Sequence, residues 1–323
     1  MLDFSDFSVI EQGYADGSIE GWVPTIKRTL EQHEAHGQIQ SEMPSLYLGG
    51  EGLQDEKVDL TQIWSHPSVV QALGFAFPGV HQYTGSCVGA AGGNMLMTLI
   101  IIEILMKGDF EEIKVPFWLL PYGRSRFYAG MKSPGEGSLG STFAKAAKAD
   151  GIIEATLSNL PKFENKDGLS WYENAERSWS DGDARQTMDL LNESRKHPCQ
   201  TVSQIKNTDE LEQGIRNLYP STNASSLIPN MTVEADGEAY GRVARSGGHQ
   251  TTFLGVWRHP VKGKRFFKYV NQWGLRWGKN GMGWIPDEDV QAIINDGEET
   301  YLFSSLQGFP SQMLPEDIFN VIK

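Results

Sequence analysis

Gly85-Ser86-Cys87-Val88 begins an apolar run that continues to Met106, and this run gives the strongest indication of how the chain folds. Small residues near its start allow another segment to pack closely, while the Met and Ile residues further along can fill a core. Its part between Asn94 and Glu103, Met95 to Ile102, is far shorter than the roughly 20 residues that a bilayer requires. The run therefore predicts a buried helix with Cys87 in its first turn.

Two further motifs lie far downstream of Cys87. Gly248-His249 opens one stretch of alternating residues, and Asn271 follows a second. A thiol, an imidazole and a carboxamide in this chain order can supply a nucleophile, its acid/base and the group that orients the imidazole. The alternation predicts neighbouring antiparallel strands over 249–258 and 265–270, whose ends can bring His249 and Asn271 within hydrogen-bond reach. The helix N-terminus and an imidazolium partner would both lower the pKa of the Cys87 thiol.

The composition is that of a soluble globular chain. Its 323 residues are 39% hydrophobic and 21% charged, which is enough for two lobes. A formal net charge of −13 disfavours binding to nucleic acid or to an anionic membrane. Residues 1–6 lack the pattern of a secretory signal peptide, and only two cysteines occur, so we expect the protein in the cytoplasm or in a virion. Cys199 has no second pair of metal ligands nearby, so we expect an inert thiol, no metal and no cofactor.

The pattern changes twice along the chain. Residues 1–76 form an amino-terminal extension, 77–200 are predominantly helical, and 201–323 have the period-two pattern of strands. This organisation predicts a helical lobe with the thiol, a β-rich lobe with the imidazole and carboxamide, and a site in the crevice between them. The predicted helices cover 24–36, ending at Gly37, a short segment after Pro67, 117–128, 142–149 and 184–195. We expect His33 and His36 on the first of these to lie on a solvated face and to bind no metal.

At these motifs the chain resembles the papain family of cysteine peptidases. Gly85-Ser86-Cys87 is similar to the Gly-Ser-Cys of that family, and Gly248-His249 is similar to its Gly-His strand start. The run 271–281, with its repeated Trp-Gly, is close to the Asn-Ser-Trp-Gly series, and 135–152 resembles the glycine-rich wall, helix and Gly-Ile turn. The resemblance covers roughly residues 77 to 305 and implies an α+β papain-like fold of two lobes, with a central helix that begins at Cys87.

The resemblance also implies a reaction. Cys87 would attack the carbonyl of a peptide or protein substrate, His249 would protonate the leaving amine, and Asn271 would orient the imidazole. Water would then release the acyl group from the sulfur. No metal or organic cofactor takes part in this scheme.

Five further residues receive roles by the same resemblance. The family stabilises the oxyanion with the N–H of the nucleophile and with a glutamine six residues before it. Gln82 is the candidate here but lies five residues before the nucleophile, and His81 holds the sixth place, so His81 is the alternative donor. Gly137 and Gly248 would line the substrate cleft, and Trp273 would shield the hydrogen bond between the imidazole and the carboxamide.

Departures from the family pattern indicate a particular branch. Thr84 stands where secreted relatives have a disulfide cysteine, and Val88 replaces the usual aromatic residue. These changes favour a disulfide-free microbial or phage-type branch. The helical propeptide signature of the family is not visible in residues 1–76, which could form a pro-segment, a docking arm or additional wrapping of the lobes.

Two other functions are compatible with the same motifs. An acyltransferase or deamidase would form the same thioester and differ only in what intercepts it. A catalytically weak or inactive protein of a phage particle could use the fold as a scaffold, with residues 1–76 contacting an assembly partner. The presence of Cys87, His249 and Asn271 together favours the peptidase over the scaffold.

Overall fold

The computed structural model describes residues 12, 14, 19, 21–43, 52–106, 113–131, 133, 135–154, 175–177, 179–181 and 188–306. The helices are α1 (Leu30–Glu42), α2 (Pro67–Leu73), α3 (Cys87–Met106), α4 (Leu119–Tyr128), α5 (Gly140–Ala149), α6 (Met188–Ser194), α7 (Thr208–Arg216) and α8 (Asp287–Gly297), with 3-10 turns at Thr25–Lys27 and Leu60–Ser65. The strands are β1 (Lys57–Asp59), β2 (Cys199–Gln204), β3 (Ser221–Val233), β4 (Ala239–His259), β5 (Lys264–Val270), β6 (Met282–Pro286) and β7 (Glu299–Leu306).

Helix α3 is the core helix that the apolar run predicts. By length and composition alone it could cross a membrane, but its residues are buried inside the protein. The small residues in its first half have a packing role, since the backbone at Gly92 lies against the ring of Phe143 on α5 and Gly89 lies against Tyr122 on α4. Close approach of helices at glycine therefore lets α4 and α5 pack on α3 and complete the helical lobe.

One sheet forms the second lobe. Its strand order is β2-β7-β3-β4-β5-β6, and β1 pairs with β4. Strands β4 and β5 are antiparallel, with Thr252 opposite Val270. His249 is three residues before Thr252, and Asn271 follows Val270, so this register brings them to the same end of the strand pair. The two predicted strands are confirmed, and β4 extends further back, to Ala239, because its first half pairs with β3.

The helix predictions differ from the structure mainly at the first helix. Residues 25–27 form only a 3-10 turn, and α1 begins at Leu30, where Thr29 and Gln32 form a reciprocal capping box. The helix also continues through Gly37, because a helix-interior glycine costs only about 1 kcal/mol and does not by itself stop a helix. The other predicted helices correspond to α2, α4, α5 and α6, although residues 184–187 lie outside the described residues.

The described part of the predicted amino-terminal extension contacts both lobes. Asp59 on β1 forms a buried ion pair with Lys268 on β5, at 2.9 Å. The Trp64 indole N–H donates to the Thr98 hydroxyl on α3, at 3.0 Å. Residues 52–76 therefore pack into the same core as the two lobes.

Candidate active site

Cys87 lies where the helical lobe meets the sheet. The Ser86 carbonyl accepts hydrogen bonds from Gly89 and Ala90, so Cys87 is the first residue of α3 and its sulfur lies at the positive end of the helix. The backbone N–H of Gln250 on β4 donates to this sulfur at 3.2 Å. Because Gln250 follows His249 directly, the β4 backbone that carries the imidazole contacts the sulfur from the opposite lobe.

His249 is hydrogen-bonded to Asn271. The distance from His249 Nε2 to Asn271 Oδ1 is 2.8 Å, and the backbone N–H of Gln272 donates to the same oxygen at 2.8 Å. Asn271 Oδ1 can only accept, so Nε2 carries the proton and His249 Nδ1 is left able to accept one. This Nδ1 has no hydrogen-bond partner among the described residues. The Trp273 ring lies 4.8 Å from the imidazole and covers one side of it.

Gln82 extends its side chain toward the sulfur. Its Nε2 donates to the Thr84 carbonyl and to the Tyr14 hydroxyl, both at 2.9 Å. The Tyr14 hydroxyl is in turn hydrogen-bonded to the Cys87 sulfur. The Gln82 amide is therefore aimed at a position beside the sulfur that the Tyr14 hydroxyl now fills. Burial lowers the pKa of His81, the alternative donor, to about 4, so its ring is neutral near pH 7.

A segment of the chain itself lies across the cleft. Residues 21–28, here called the strap, run between the two walls that the sequence predicts. On one wall the Gly248 carbonyl accepts from Gly21 and Trp22, at 3.3 and 3.1 Å. On the other, Ser138 N–H donates to the Gly21 carbonyl and the Ser138 carbonyl accepts from Val23, both at 3.0 Å. The strap thus forms a short parallel pairing with residue 138, the neighbour of Gly137.

The strap and Tyr14 together seal the sulfur. A Cβ added at Gly21 would overlap both the Cys87 sulfur and the Tyr14 hydroxyl, so only glycine fits there. The Tyr14 ring lies 4.7 Å from the His249 ring and 5.1 Å from the Trp273 ring. As a result Cys87 is 0% exposed, and no carbonyl carbon of another molecule can reach it in this conformation.

Glu299 on β7 anchors the strap. This fully buried carboxylate accepts from the Trp22 indole N–H, lies 3.0 Å from the Arg28 guanidinium and lies 2.8 Å from His36 Nδ1. It also accepts from the N–H of Gly140 at the start of α5. Burial alone would raise its pKa, but these partners, Arg28 above all, hold the pKa down to about 2. The expectation that His36 lies on a solvated face is wrong, because its ring turns inward to this carboxylate.

Burial decides the charges of the Cys87 thiol and the His249 imidazole. Desolvation raises the pKa of the Cys87 thiol to about 12, despite hydrogen bonds from Tyr14, Gln250 and the first turn of α3. Desolvation lowers the pKa of His249 to about 3. Both groups are neutral near pH 7, so the prediction of a lowered thiol pKa is wrong for this conformation. Cys199 is also buried, and burial raises its pKa further.

Three residues at this site carry no signal in the sequence. Tyr14, Glu299 and a further buried carboxylate, Glu176, meet the site only through contacts between residues far apart in the chain. A lone Tyr or Glu has no motif around it that would separate it from a surface residue. Among the described residues, no group of three or more His, Cys, Asp and Glu side chains is arranged to hold a metal ion.

Comparison with known proteins identifies the fold. No model of a known protein family matches the chain, and neither does any curated protein sequence. Solved structures do match: xylellain, a cysteine protease from Xylella fastidiosa, has 15% sequence identity and a TM-score of 0.54, with 91% of this chain and 96% of xylellain covered. For proCathepsin B S9 from Trypanosoma congolense the identity is 13%, the TM-score 0.54 and the coverage 94% of this chain and 97% of the other.

A third structure gives the same result. Digestive procathepsin L 3 from the larval midgut of Tenebrio molitor has 12% identity and a TM-score of 0.53, with 94% of this chain and 90% of the other covered. The chain therefore has the α+β papain-like fold that the sequence predicts.

Proposed function

We propose that this chain is a papain-like cysteine peptidase that cleaves peptide bonds through Cys87, His249 and Asn271. The observation that carries the proposal is the meeting of the two lobes, in which the Cys87 sulfur at the start of α3 accepts the N–H of Gln250, the residue after His249. A thiol at a helix N-terminus beside an oriented imidazole is the arrangement that nucleophilic catalysis requires. The papain-like fold supports the same activity.

In the proposed reaction, His249 Nδ1 takes the proton of the Cys87 thiol, and the thiolate attacks the carbonyl carbon of a peptide bond. The Cys87 N–H and the Gln82 side chain donate to the resulting oxyanion. As the C–N bond breaks, the imidazolium returns its proton to the leaving amine, and the acyl group stays on sulfur as a thioester. His249 then deprotonates a water that attacks the thioester, which releases the carboxylic acid and regenerates the thiol.

The substrate is a peptide or protein in this proposal. The cleft already holds a polypeptide segment, residues 21–23 of the strap, through backbone hydrogen bonds to Gly248 and Ser138. Such bonds recognise any extended chain and leave the choice of side chain to the pockets around it. The cytoplasm or a virion remains the proposed location.

The intact chain is latent under this proposal. Tyr14 fills the oxyanion position and Gly21 covers the sulfur, so Tyr14 and the strap act as a pro-segment. The Cys87 thiol and the His249 imidazole are neutral beneath the strap and cannot react until water and substrate reach them. Displacing the strap removes the desolvation, which lets the imidazole and the helix N-terminus stabilise the thiolate.

The test uses Gly21→Ala in the full chain, because a Cβ at this position would push the strap off the sulfur. We expect this variant to hydrolyse an unstructured protein substrate and to be alkylated at Cys87 by iodoacetamide, while the wild type does neither at a comparable rate. Adding Cys87→Ala should abolish hydrolysis. Gly37→Ala is the matched control, since a Cβ at Gly37 contacts nothing within 4 Å, and it should stay latent.

A non-catalytic assembly protein is the second candidate, and the observation that favours it is the fully covered Cys87 sulfur. The same variant separates the two functions. If Gly21→Ala exposes Cys87 to alkylation but hydrolyses no peptide bond, the peptidase proposal is wrong and the assembly role remains.

A further inference from the structure

A buried carboxylate outside the Cys-His-Asn group holds the loop that leads to Cys87. Glu176 is 2% exposed and lies in the 175–177 segment, far from Cys87 in sequence. Its Oε2 accepts from the hydroxyl of Thr84 at 2.7 Å and from the hydroxyl of Ser86 at 2.8 Å. Both of its oxygens lie 3.0 Å from the backbone N–H of Tyr83. Three of the four residues before Cys87 therefore donate to one side chain.

The remaining residue of this loop, Gly85, is held by a second glutamate, Glu136. Gly85 N–H donates to Glu136 at 3.0 Å, and Glu136 pairs with Arg177 at 3.0 Å. Arg177 follows Glu176 directly in the chain. The 175–177 segment thus reaches the loop directly through Glu176 and indirectly through Arg177.

Thr84 connects Glu176 to the oxyanion position. Its hydroxyl donates to Glu176, and its carbonyl accepts from Gln82 Nε2 at 2.9 Å. The orientation of Thr84 therefore sets where the Gln82 amide points. No disulfide fixes this loop, because Cys87 and Cys199 are both free thiols and are the only cysteines of the chain.

We infer that Glu176 is a positioning residue, which fixes the Tyr83–Ser86 loop and thereby aims the Gln82 amide at the oxyanion. The effect of Glu176 on catalysis rests on the proposed function. Its effect on the position of the loop rests on the hydrogen bonds alone. Glu176 itself touches no substrate. Its loss should therefore lower the rate of the chemical step and leave substrate binding nearly unchanged.

The first experiment needs no activity. In the ¹⁵N-labelled full chain, the side-chain amide signal of Gln82 is assigned by its disappearance in Gln82→Ala. We expect Glu176→Leu, which removes every acceptor, to shift or broaden this signal, and Glu176→Gln, which keeps one acceptor oxygen and the shape, to shift it less. Glu212→Leu is the control, because it also removes a buried carboxylate, one that pairs with Arg216, Arg258 and Arg265 instead, and it should leave the signal in place.

The second experiment is kinetic and uses the Gly21→Ala chain. Since one misplaced oxyanion donor costs roughly 100-fold in kcat, Glu176→Leu should lower kcat by about that factor and change KM by less than about threefold. Glu176→Gln should recover most of the loss. Because Glu176 acts through Gln82, the double variant with Gln82→Ala should be no slower than the slower single variant.

Two results would overturn the inference. One is a Gln82 amide signal in folded Glu176→Gln and Glu176→Leu that matches the wild type. The other is a double variant whose loss in kcat equals the product of the two single losses. A Gly21→Ala chain without any hydrolysis would contradict the proposed function instead, and the amide signal would still decide the role of Glu176.

Discussion

Replacing Glu299 by Gln should release the strap from the cleft. The side chains of Glu299 and Arg28 are both 0% exposed, so an uncharged amide leaves the Arg28 guanidinium buried without its counter-ion. The pKa of Glu299 is lowered from an ordinary value of 4.5 to about 2. Since each pKa unit corresponds to about 1.36 kcal/mol, the interactions of the charged form contribute on the order of 3 kcal/mol.

The sign of this contribution sets its pH range. A lowered carboxyl pKa stabilises the folded state above pH 4.5, and this stabilisation is lost as the pH falls from 4.5 through about 2. The wild-type strap should therefore stay closed through the neutral range and down to about pH 4. At pH 7, Glu299→Gln should lose nearly the whole contribution.

The assay is the rate of Cys87 alkylation by iodoacetamide at pH 7 in the full chain. If opening of the strap precedes alkylation, the rate should rise by up to roughly 100-fold, which is the limit set by about 3 kcal/mol if Arg28 and Trp22 supply most of the contribution. Glu298→Gln is the control, because Glu298 is the adjacent residue and its side chain is exposed. An alkylation rate in Glu299→Gln equal to that of Glu298→Gln would show that Glu299 does not hold the strap.

Three further changes test the seal and the core. Tyr14→Phe keeps the ring contacts but loses the hydroxyl next to the sulfur, so Cys87 alkylation should rise by less than about tenfold, and a larger rise would mean that this one hydrogen bond holds the seal. Gly92→Ala should destabilise the fold by about 2 kcal/mol in urea unfolding, because its Cβ would overlap the Phe143 ring, and an unchanged midpoint would contradict the close packing. Lys268→Met leaves the Asp59 carboxylate buried and unpaired, which should cost about 3–5 kcal/mol at pH 7, with part of the loss recovered near pH 4; equal losses at both pH values would exclude the charge as the cause.

The sequence predicts the features that depend on local pattern. The apolar run after Cys87 is the core helix, and the alternation around His249 and before Asn271 predicts the strand pair that joins them. Local pattern was enough here, because Cys87 begins its helix, Asn271 follows its strand and His249 lies within a strand, and the neighbours of each residue determine the type of that element.

The features that the sequence does not predict arise from contacts between distant segments. Tyr14 reaches Cys87 across 73 residues, and Trp22 reaches Glu299 across 277. No periodicity relates such pairs, and the pKa of a thiol depends on what covers it as much as on the helix that carries it. The sequence therefore predicts the parts of a reactive site, while the seal over it becomes visible only in the fold.

The covalent intermediate on sulfur offers the decisive measurement. The Gly21→Ala chain is mixed with an activated peptide ester, quenched in acid and digested, and the peptide fragments that carry Cys87 and Cys199 are weighed by mass spectrometry. We expect the acyl mass on Cys87 alone, with no such mass when His249→Ala is added. Acylation of another residue, or a Cys87 that iodoacetamide alkylates but the ester never acylates, would contradict a thioester-forming peptidase.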